Sequence, residues 1–481
     1  MILSKIEISN SLIKKIYQIM LYIIPIAMFS NFFLNMILVI ICFIFWYYII
    51  SNKDFTWIKN KTNLLLIFFS IYIIIQGYFV DNNNSFFKSI FYLKFIFFFI
   101  SFDYFSKQFQ IVIQKIFKFY LIVLFIFSID LIIQYIFGVN TINLPCKMNC
   151  TRYSGFFGSE LVAGGYLFFF GLASITFFLI KKDLFKYFMS LFLLSILILI
   201  TGDRTPFLSI LLAIILSVML IKNIRIYLYY FIPIIFIIFS TILLISEKIS
   251  KRYVVSIHDM LSSSELDIPS LKGYLQNNTL EIQEVNDAIK IKRKMNIKDS
   301  GELEKLNYLV HEQIKLENRI IKVRKTNNNR KNQNLWYYKF FDTVYGSHYL
   351  TAANIIKDNF LFGTGIRSFR NICKQYNDVN SLNAQDACST HPHNLHLEIL
   401  SEVGVVGYLL LSICVILLIL NLIKKKKNRN EQIWLLIVFL VLVFPFKPSG
   451  AFFSSWSGFI FWYSFALANS ASNQNYEKNS I

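Results

Sequence analysis

The chain has 481 residues, of which 56% are hydrophobic and 16% are charged, whereas soluble domains have roughly 45–50% apolar and about 25% charged residues. Lys and Arg outnumber Asp and Glu by 48 to 28, which gives a formal net charge of +20. The apolar excess excludes an ordinary soluble domain, and 6 Cys are too few for a disulfide scaffold.

Mostly apolar runs follow one another along the chain, each long enough to cross about 30 Å of hydrocarbon as a helix. They lie at 14–30, 32–50, 63–80, 86–102, 113–137, 160–180, 184–201, 204–221, 226–246, 403–422, 431–447 and 451–468. The sequence therefore predicts an all-α polytopic membrane protein with about twelve transmembrane helices. No small-residue cleavage site precedes the second run, which indicates an anchor rather than a removed signal peptide.

The basic residues predict the direction of these spans, because cytoplasmic loops hold an excess of Lys and Arg. With a cytoplasmic N-terminus, the inner connections carry Lys5, Lys14, Lys15, Lys53, Lys59, Lys61, Lys107, Lys115, Lys118, Lys181, Lys182, Lys186, Lys222, Arg225, Lys424, Lys425, Lys426, Lys427, Arg429 and Lys478. The short outer connections carry only Lys88, Lys147, Arg152, Arg204 and Lys447. This asymmetry places both termini in the cytoplasm.

One long segment, residues 247–402, contains no spanning run and falls on the outer side, between helices 9 and 10. We therefore divide the chain into residues 1–246, the loop domain 247–402, and residues 403–481. Acidic and basic residues nearly balance in the loop, so most of the positive charge is a topology signal, and no nucleic-acid-binding motif accompanies it. Within the loop, 261–331 has the pattern of a charged, amphipathic helical hairpin, and 345–402 carries the motifs.

Four cysteines, Cys146, Cys150, Cys373 and Cys388, fall on the outer side. Thiols in an oxidising compartment suggest two disulfides, for which three pairings are possible. We favour Cys146 with Cys150 and Cys373 with Cys388. Metal binding by these thiols is the alternative, which the absence of a Cys-x-x-Cys pair disfavours.

Three motifs stand at the outer ends of the predicted spans. The sequence His391-Pro-His-Asn394 is followed by Gly404 and Gly407, Arg152-Tyr-Ser-Gly-Phe precedes the sixth span, and Thr201-Gly-Asp-Arg204 joins the seventh to the eighth. Together they resemble the O-antigen ligase and polymerase superfamily. The resemblance covers most of the chain, apart from the 261–331 insertion.

The resemblance implies a glycosyltransferase that moves a preassembled glycan from undecaprenyl diphosphate to an acceptor hydroxyl at the outer, periplasmic face of the bacterial inner membrane. The expected partners are this lipid-linked donor, lipid A core as acceptor and the surrounding membrane lipids, without nucleic acid, cofactor or metal. A polymerase or a protein O-oligosaccharyltransferase of the same superfamily would share the motifs. A flippase for lipid-linked sugars is the alternative from another class, but we find no internal repeat.

The chemistry of such a transfer assigns roles to the motif residues. His393 is the expected general base, since an imidazole can accept the acceptor proton; a role in capping the tenth helix is the alternative. Arg204 is the expected diphosphate ligand, because guanidinium binds phosphate oxygens bidentately; pairing with Asp203 or snorkelling to headgroups is the alternative. Weaker candidates for a further phosphate-holding cation are Arg367, Arg370 and Arg152.

Other residues near the motifs have secondary expected roles. His391 precedes a proline and is expected to set the loop, and Asn394 to orient the His393 ring or cap the helix. Glu160 is a further candidate for substrate binding, and Asp130 is either functional or merely hydrated near the outer surface. We expect Gly404 and Gly407 to allow close helix packing.

Overall fold

The computed structural model describes residues 10–80, 83–109, 113–148, 150–250, 253, 268–294, single positions between 303 and 317, 343–376, 388–424 and 430–471. Every regular element in these ranges is helical, beside two isolated bridges, Val139 with Pro145 and Lys147 with Arg152. The chain forms two compact units. The first comprises Met1–Val254, Ala352–Tyr376 and Ser389–Ile481, and the second Val255–Thr351 and Asn377–Cys388.

The first unit contains the apolar helices. They are α1 (Asn10–Ala27), α2 (Asn31–Asn52), α3 (Lys61–Phe79), α4 (Asn83–Gln108), α5 (Ile113–Phe137), α6 (Ala163–Ile180), α7 (Leu184–Ile200), α8 (Arg204–Leu220) and α9 (Arg225–Ile245). After the second unit follow α12 (Leu395–Lys424), α13 (Asn430–Leu442) and α14 (Ser455–Ala471). A helix therefore occupies the place of each predicted span.

Six of the described helices are long and apolar enough to cross a membrane: Asn31–Asn52, Lys61–Phe79, Ser85–Gln108, Ile113–Phe137, Ala163–Ile180 and Leu395–Leu422. Four further apolar helices, α7, α8, α9 and α13, are shorter. The protein is thus a polytopic helical membrane protein, and the count of twelve crossings stays a prediction.

Aromatic side chains fill the core between the helices. Phe99 of α4 stacks on Phe465 of α14, with ring centroids 4.6 Å apart. The neighbouring Phe98 of α4 contacts Phe459 of α14, with ring centroids 5.4 Å apart. Offset and edge contacts of this kind hold apolar helices together by dispersion, which matters where lipid removes the hydrophobic driving force. Some of the many Phe side chains therefore pack between helices, and others lie on the surface that faces lipid.

Helix α6 departs from regular geometry at Leu167–Gly171, which forms a turn of π-helix. Such turns are rare and are often found at functional sites. The preceding turn carries Gly164 and Gly165, so the irregular part of α6 lies at the end next to the Arg152 motif.

The second unit contains α10 (Ile268–Lys294) and the first half of α11 (Val344–Asp358). Val285 and Ile289 of α10 pack with Leu309 in a small apolar cluster. Lys305 and Glu281 form an ion pair of 3.0 Å on its exposed surface. These contacts join the two halves of the predicted charged hairpin.

Two buried tryptophans provide a matched test of packing in the first unit. The indole Nε1 of Trp434 in α13 donates to the Leu172 carbonyl of α6 at 2.8 Å, whereas the buried indole of Trp57 has no hydrogen-bond partner. We expect Trp434→Phe to lower the stability by about 0.5–1.5 kcal/mol more than Trp57→Phe, because only the former removes a hydrogen bond. Thermal melting of the two variants in detergent measures the difference, and equal melting temperatures would contradict it.

Candidate active site

The histidine segment, residues 389–394, leads directly into α12. His391 is buried and His393 half-buried, and their ring centroids lie 4.1 Å apart. The backbone of His393 is left-handed, with a φ of 56°, which non-glycine residues adopt rarely outside tight turns. The turn thus holds two imidazoles side by side.

His391 is bonded at both ring nitrogens. Its Nε2 lies 3.2 Å from the carbonyl oxygen of Ser449, and its Nδ1 lies 2.9 Å from the hydroxyl of Thr390. A carbonyl oxygen can only accept, so Nε2 carries a proton and donates to the Ser449 carbonyl. His391 is therefore a fixed support for the neighbouring ring of His393.

Asn394 caps the start of α12. Its Oδ1 accepts from the backbone N–H groups of His396 at 3.0 Å and Leu397 at 3.1 Å, as an N-cap residue does. Its amide nitrogen donates to the Pro445 carbonyl at 2.7 Å. Of its two expected roles, the structure displays the cap, together with a bond to a distant loop.

That loop, residues 443–454 between α13 and α14, contacts the histidine segment and α6. Ser449 N–H donates to the His393 carbonyl at 2.9 Å. On the other side, the Lys447 ammonium lies 5.6 Å from the ring centroid of Phe168 in α6. At the start of α14, Trp456 contacts Phe157 beyond the Arg152 motif, with ring centroids 5.0 Å apart.

The third histidine has a structural environment. His396 Nδ1 lies 3.0 Å from the Tyr408 hydroxyl and Nε2 lies 2.8 Å from the Val443 carbonyl. Both nitrogens are used in joining α12 to the end of α13, so this ring is not available for chemistry.

Two buried glutamates on α12 bind backbone amides of neighbouring loops. Glu398 accepts from Phe452 N–H at 2.8 Å, and Glu402 accepts from the N–H groups of Arg367 at 2.6 Å and Phe369 at 3.1 Å. Both side chains are about 1% exposed. They hold two segments against the helix that follows the histidine segment. One is the 443–454 loop, and the other is the turn that contains Gly363 and Gly365, which we call the glycine turn.

Gly404 interrupts helix α12, whereas we expected it to allow close packing between continuous helices. Its φ of 64° and ψ of −175° are not helical. A side chain there would collide with the Leu361 carbonyl, and a Cβ on Gly363 would lie 2.5 Å from Gly404 N. Val405 N–H donates to the Phe360 carbonyl at 2.9 Å. The segment just before the glycine turn therefore supplies the acceptor that Val405 lacks where the helix is interrupted. Gly407 packs beside Tyr72 of α3, as expected for helix contact.

Arg367 and Arg370 follow the glycine turn and form a cationic cluster. Burial and the charge of Arg370 lower the pKa of Arg367, while the carboxyl groups of Glu402 and Glu398 act in the opposite direction. The charge of Lys88 in α4 interacts with both arginines. Nε of Arg370 is buried without a hydrogen-bond partner. These cations can attract an anion to the glycine turn.

The Arg152 motif and the Thr201–Arg204 turn pack against each other. Arg152 forms an ion pair with Asp203, whose other carboxylate oxygen accepts from Gly164 N–H at 2.9 Å. Tyr153 N–H donates to the Thr201 carbonyl at 3.1 Å. Arg152 is thus engaged in holding the turn.

Arg204 occupies the first position of α8 and is half-buried. Its expected alternative partner, Asp203, is bound to Arg152 and Gly164 instead. No residue that the structure describes forms an ion pair or side-chain hydrogen bond with Arg204. Its guanidinium lies at a helix N-terminus, where backbone N–H groups also favour an anion.

The two acidic candidates differ in environment. Glu160 is exposed in the turn before α6. Asp130 is buried, and its Oδ1 accepts from Thr141 N–H at 3.0 Å while its Oδ2 accepts from the Asn140 amide at 3.2 Å. Asp130 therefore binds the loop after α5 and is not a hydrated surface group.

The four cysteines that the sequence predicts on the outer side are all disulfide-bonded. Cys146 is bonded to Cys150, and Cys373 and Cys388 are likewise disulfide-bonded, whereas Cys42 and Cys414 are free. Within the described ranges, no three His, Cys, Asp or Glu side chains are grouped to hold a metal ion.

Sequence reasoning missed Glu398, Glu402 and Lys447 as members of this site. The glutamates lie four residues apart on one face of α12, a spacing that could have indicated a shared buried role. Lys447 had been read only as a basic residue after a span, and no local signal connects it with the histidine segment.

The fold and the site together define a membrane protein of the polytopic helical class, with an imidazole pair and arginine-bearing turns at the ends of its helices. The sequence model of the family described as O-Antigen ligase matches residues 189–412. This match supports the O-antigen ligase superfamily, which the motifs had predicted. The matched range includes Arg204, Arg367 and His393, while Arg152 and Lys447 lie outside it. No curated protein and no solved structure matches the chain.

Two aspartates that precede helices allow a test of the Arg152–Asp203 pair. We expect Asp203→Asn to destabilise the protein by about 2–4 kcal/mol, since it leaves Arg152 partly buried without its counter-charge. Asp183, which precedes α7, accepts from Lys186 N–H at 3.1 Å and pairs with an exposed Lys186 side chain. Asp183→Asn should change the melting temperature little, because solvent screens that pair. A melting temperature of Asp203→Asn equal to that of Asp183→Asn would show that the buried pair contributes nothing.

Proposed function

We propose that the protein is an O-antigen ligase-like glycosyltransferase that moves a glycan from undecaprenyl diphosphate to a hydroxyl of lipid A core. The reaction takes place at the outer face of the bacterial inner membrane, with both termini of the chain in the cytoplasm. The observation that carries the proposal is the histidine segment, in which the bonded ring of His391 supports the half-buried ring of His393 at the entry to α12. It lies within the range that matches the family.

His393 acts as the general base. An acceptor hydroxyl is a poor nucleophile until its proton is removed, and a positioned imidazole typically provides a rate increase of about 10²–10⁴-fold. The left-handed turn and the neighbouring ring of His391 hold His393 in place at the entry to α12. The ring of His396 instead joins Tyr408 to Val443.

Arg204 holds the departing diphosphate. Breaking the bond between the anomeric carbon and the diphosphate oxygen transfers negative charge to the leaving group, and a guanidinium stabilises that charge through paired hydrogen bonds. Asp203 is already bound to Arg152 and Gly164, so Arg204 keeps its charge for a ligand. Arg152 acts indirectly, by positioning the turn.

The transfer then follows one sequence of bond changes. His393 takes the proton of the acceptor hydroxyl as its oxygen attacks the anomeric carbon, and the carbon–oxygen bond to the diphosphate breaks. Undecaprenyl diphosphate leaves with the bonding electrons, held by Arg204, and the imidazolium returns its proton to solvent. Arg367 and Arg370 add positive charge beside the glycine turn and lower the energy of the anionic donor in the site. Glu160, exposed before α6, hydrogen-bonds sugar hydroxyls of the glycan.

The proposal is tested with purified protein in proteoliposomes that contain lipid-linked glycan and lipid A core. We expect His393→Asn to reduce the turnover by about 10²–10⁴-fold, since the base is lost, while Asn tolerates the left-handed backbone. His396→Gln is the control, and we expect a lower melting temperature but a turnover within a few-fold for the folded fraction. The product is followed on a gel.

Two results would redirect this proposal. If wild-type protein lengthens the lipid-linked glycan and leaves lipid A core unmodified, the chain is a polymerase of the same superfamily. If His393→Asn transfers at the wild-type rate, His393 is not the base.

A second variant tests the diphosphate site. We expect Arg204→Lys to lower kcat/KM for the donor at least tenfold, because an ammonium cannot reproduce the two parallel hydrogen bonds of a guanidinium. Arg225→Lys is the matched control, since Arg225 binds the Val218 and Met219 carbonyls at the other end of α8. An unchanged kcat/KM in Arg204→Lys would remove this residue from the site.

A further inference from the structure

Lys447 is a cation without a counter-charge at the centre of the 443–454 loop. Its ammonium lies 5.6 Å from the ring centroid of Phe168, and no side chain in the described ranges forms an ion pair or hydrogen bond with it. Burial lowers the pKa of Lys447 to about 8. Lys447 is half-buried, whereas a lysine at a helix end normally extends into water, where its charge is solvated. The position of its ammonium against Phe168, without a counter-charge, therefore needs another reason.

The loop holds Lys447 in this position from both sides. Two residues before it, the Pro445 carbonyl accepts from Asn394, and two residues after it, Ser449 N–H donates to the His393 carbonyl. Glu398 binds the N–H of Phe452 further along. Lys447 therefore lies between the two residues, Pro445 and Ser449, that bond the loop to the histidine segment.

Helix α6, which carries Phe168, has open space at Gly165. Gly164 packs against Asp203 and Thr201, next to the Arg204 turn, whereas a Cβ on Gly165 would meet nothing within 4 Å. Phe168 follows Gly165 by three residues, so both lie on one side of the helix. The π-helical turn begins at Leu167, a feature that is often associated with functional sites.

The carboxylates of the surrounding segments are already bound elsewhere. Glu398 accepts from the 443–454 loop, and Asp203 pairs with Arg152. An ammonium that lacks a protein counter-charge is stabilised by an anionic ligand. Because Lys447 faces the same helix that supports the Arg204 turn, the ligand it fits is the anion of the proposed donor.

We propose that Lys447 is a second phosphate-binding residue of the site, which holds a phosphate of the lipid-linked donor from the 443–454 loop while Arg204 holds the diphosphate from α8. This assignment rests on the proposed function. A phosphate at this place could belong to undecaprenyl diphosphate or to a membrane phospholipid, and we assign it to the former because the loop that carries Lys447 is bonded to His393.

Binding of undecaprenyl diphosphate to the full-length protein in detergent tests the proposal independently of turnover. Lys447→Met should raise the Kd at least tenfold, and Lys447→Arg should stay within about threefold of wild type. Lys147→Met is the matched control, since Lys147 is another half-buried lysine of the predicted outer connections, and its Kd should not change. Equal melting temperatures of Lys447→Met and wild type would separate loss of binding from loss of folding.

The pH dependence provides a readout that a purely structural lysine would not affect. Wild-type affinity should be constant below pH 8 and fall as pH rises through about 8, where Lys447 loses its charge, whereas Lys447→Arg should retain its affinity there. The other charged groups on the neighbouring segments, His391, His393, Glu398, Asp203 and Arg152, are the same in both proteins, so their titration cancels. Identical pH profiles would overturn the proposal.

Three further outcomes distinguish failure of the inference from failure of the proposed function. If wild type binds undecaprenyl diphosphate and Lys447→Met binds it equally well, Lys447 is not a donor ligand, and the proposed function stands. If Lys447→Met instead loses co-purified phosphatidylglycerol in native mass spectra at an unchanged Kd, the residue binds a bulk phospholipid, which also overturns the proposal. Failure of wild type to bind undecaprenyl diphosphate would overturn both the inference and the proposed function.

Discussion

Backbone amides that leave helical geometry at the edge of a membrane need acceptors inside the protein, and here buried carboxylates provide them. Four acidic side chains share this role, each bound to the N–H groups of an irregular segment: Asp130, Asp203, Glu398 and Glu402. An unsatisfied amide in a low-dielectric setting costs several kcal/mol. The loops that form the site can exist next to apolar helices because these carboxylates satisfy them.

This constraint has a consequence for the chemistry that we propose. A left-handed turn at His393 and an interrupted helix at Gly404 would be mobile on their own, yet both are bonded to neighbouring loops. Catalysis benefits when groups are held in place before the substrate arrives, because no ordering is then needed in the transition state. The carboxylates thus serve the function indirectly, by fixing the loops that present His393, Arg204 and Lys447.

The positions of the helices could be read from apolar runs, since each run must satisfy its own backbone in lipid. The family was likewise recognisable, because His393 with Gly404 and the Thr201–Arg204 turn are short local patterns, and the family match confirms it. The partners of the charged residues, by contrast, could not be predicted from the sequence. Arg152 was one of three weaker candidates for a phosphate ligand in the sequence. Its ion pair with Asp203, 51 residues away, could not be predicted, because a single sequence gives no signal for so distant a partner.

The sequence by itself determined the membrane class, the places of the helices and the superfamily, because hydropathy and short motifs are local properties. Only the tertiary structure decided which charges neutralise each other. It pairs Arg152 with Asp203, binds Glu398 and Glu402 to backbone amides, and leaves Lys447 above Phe168. The physical reason is that the interaction between charges depends on distance and burial, and both are set by contacts between segments that lie far apart in the chain.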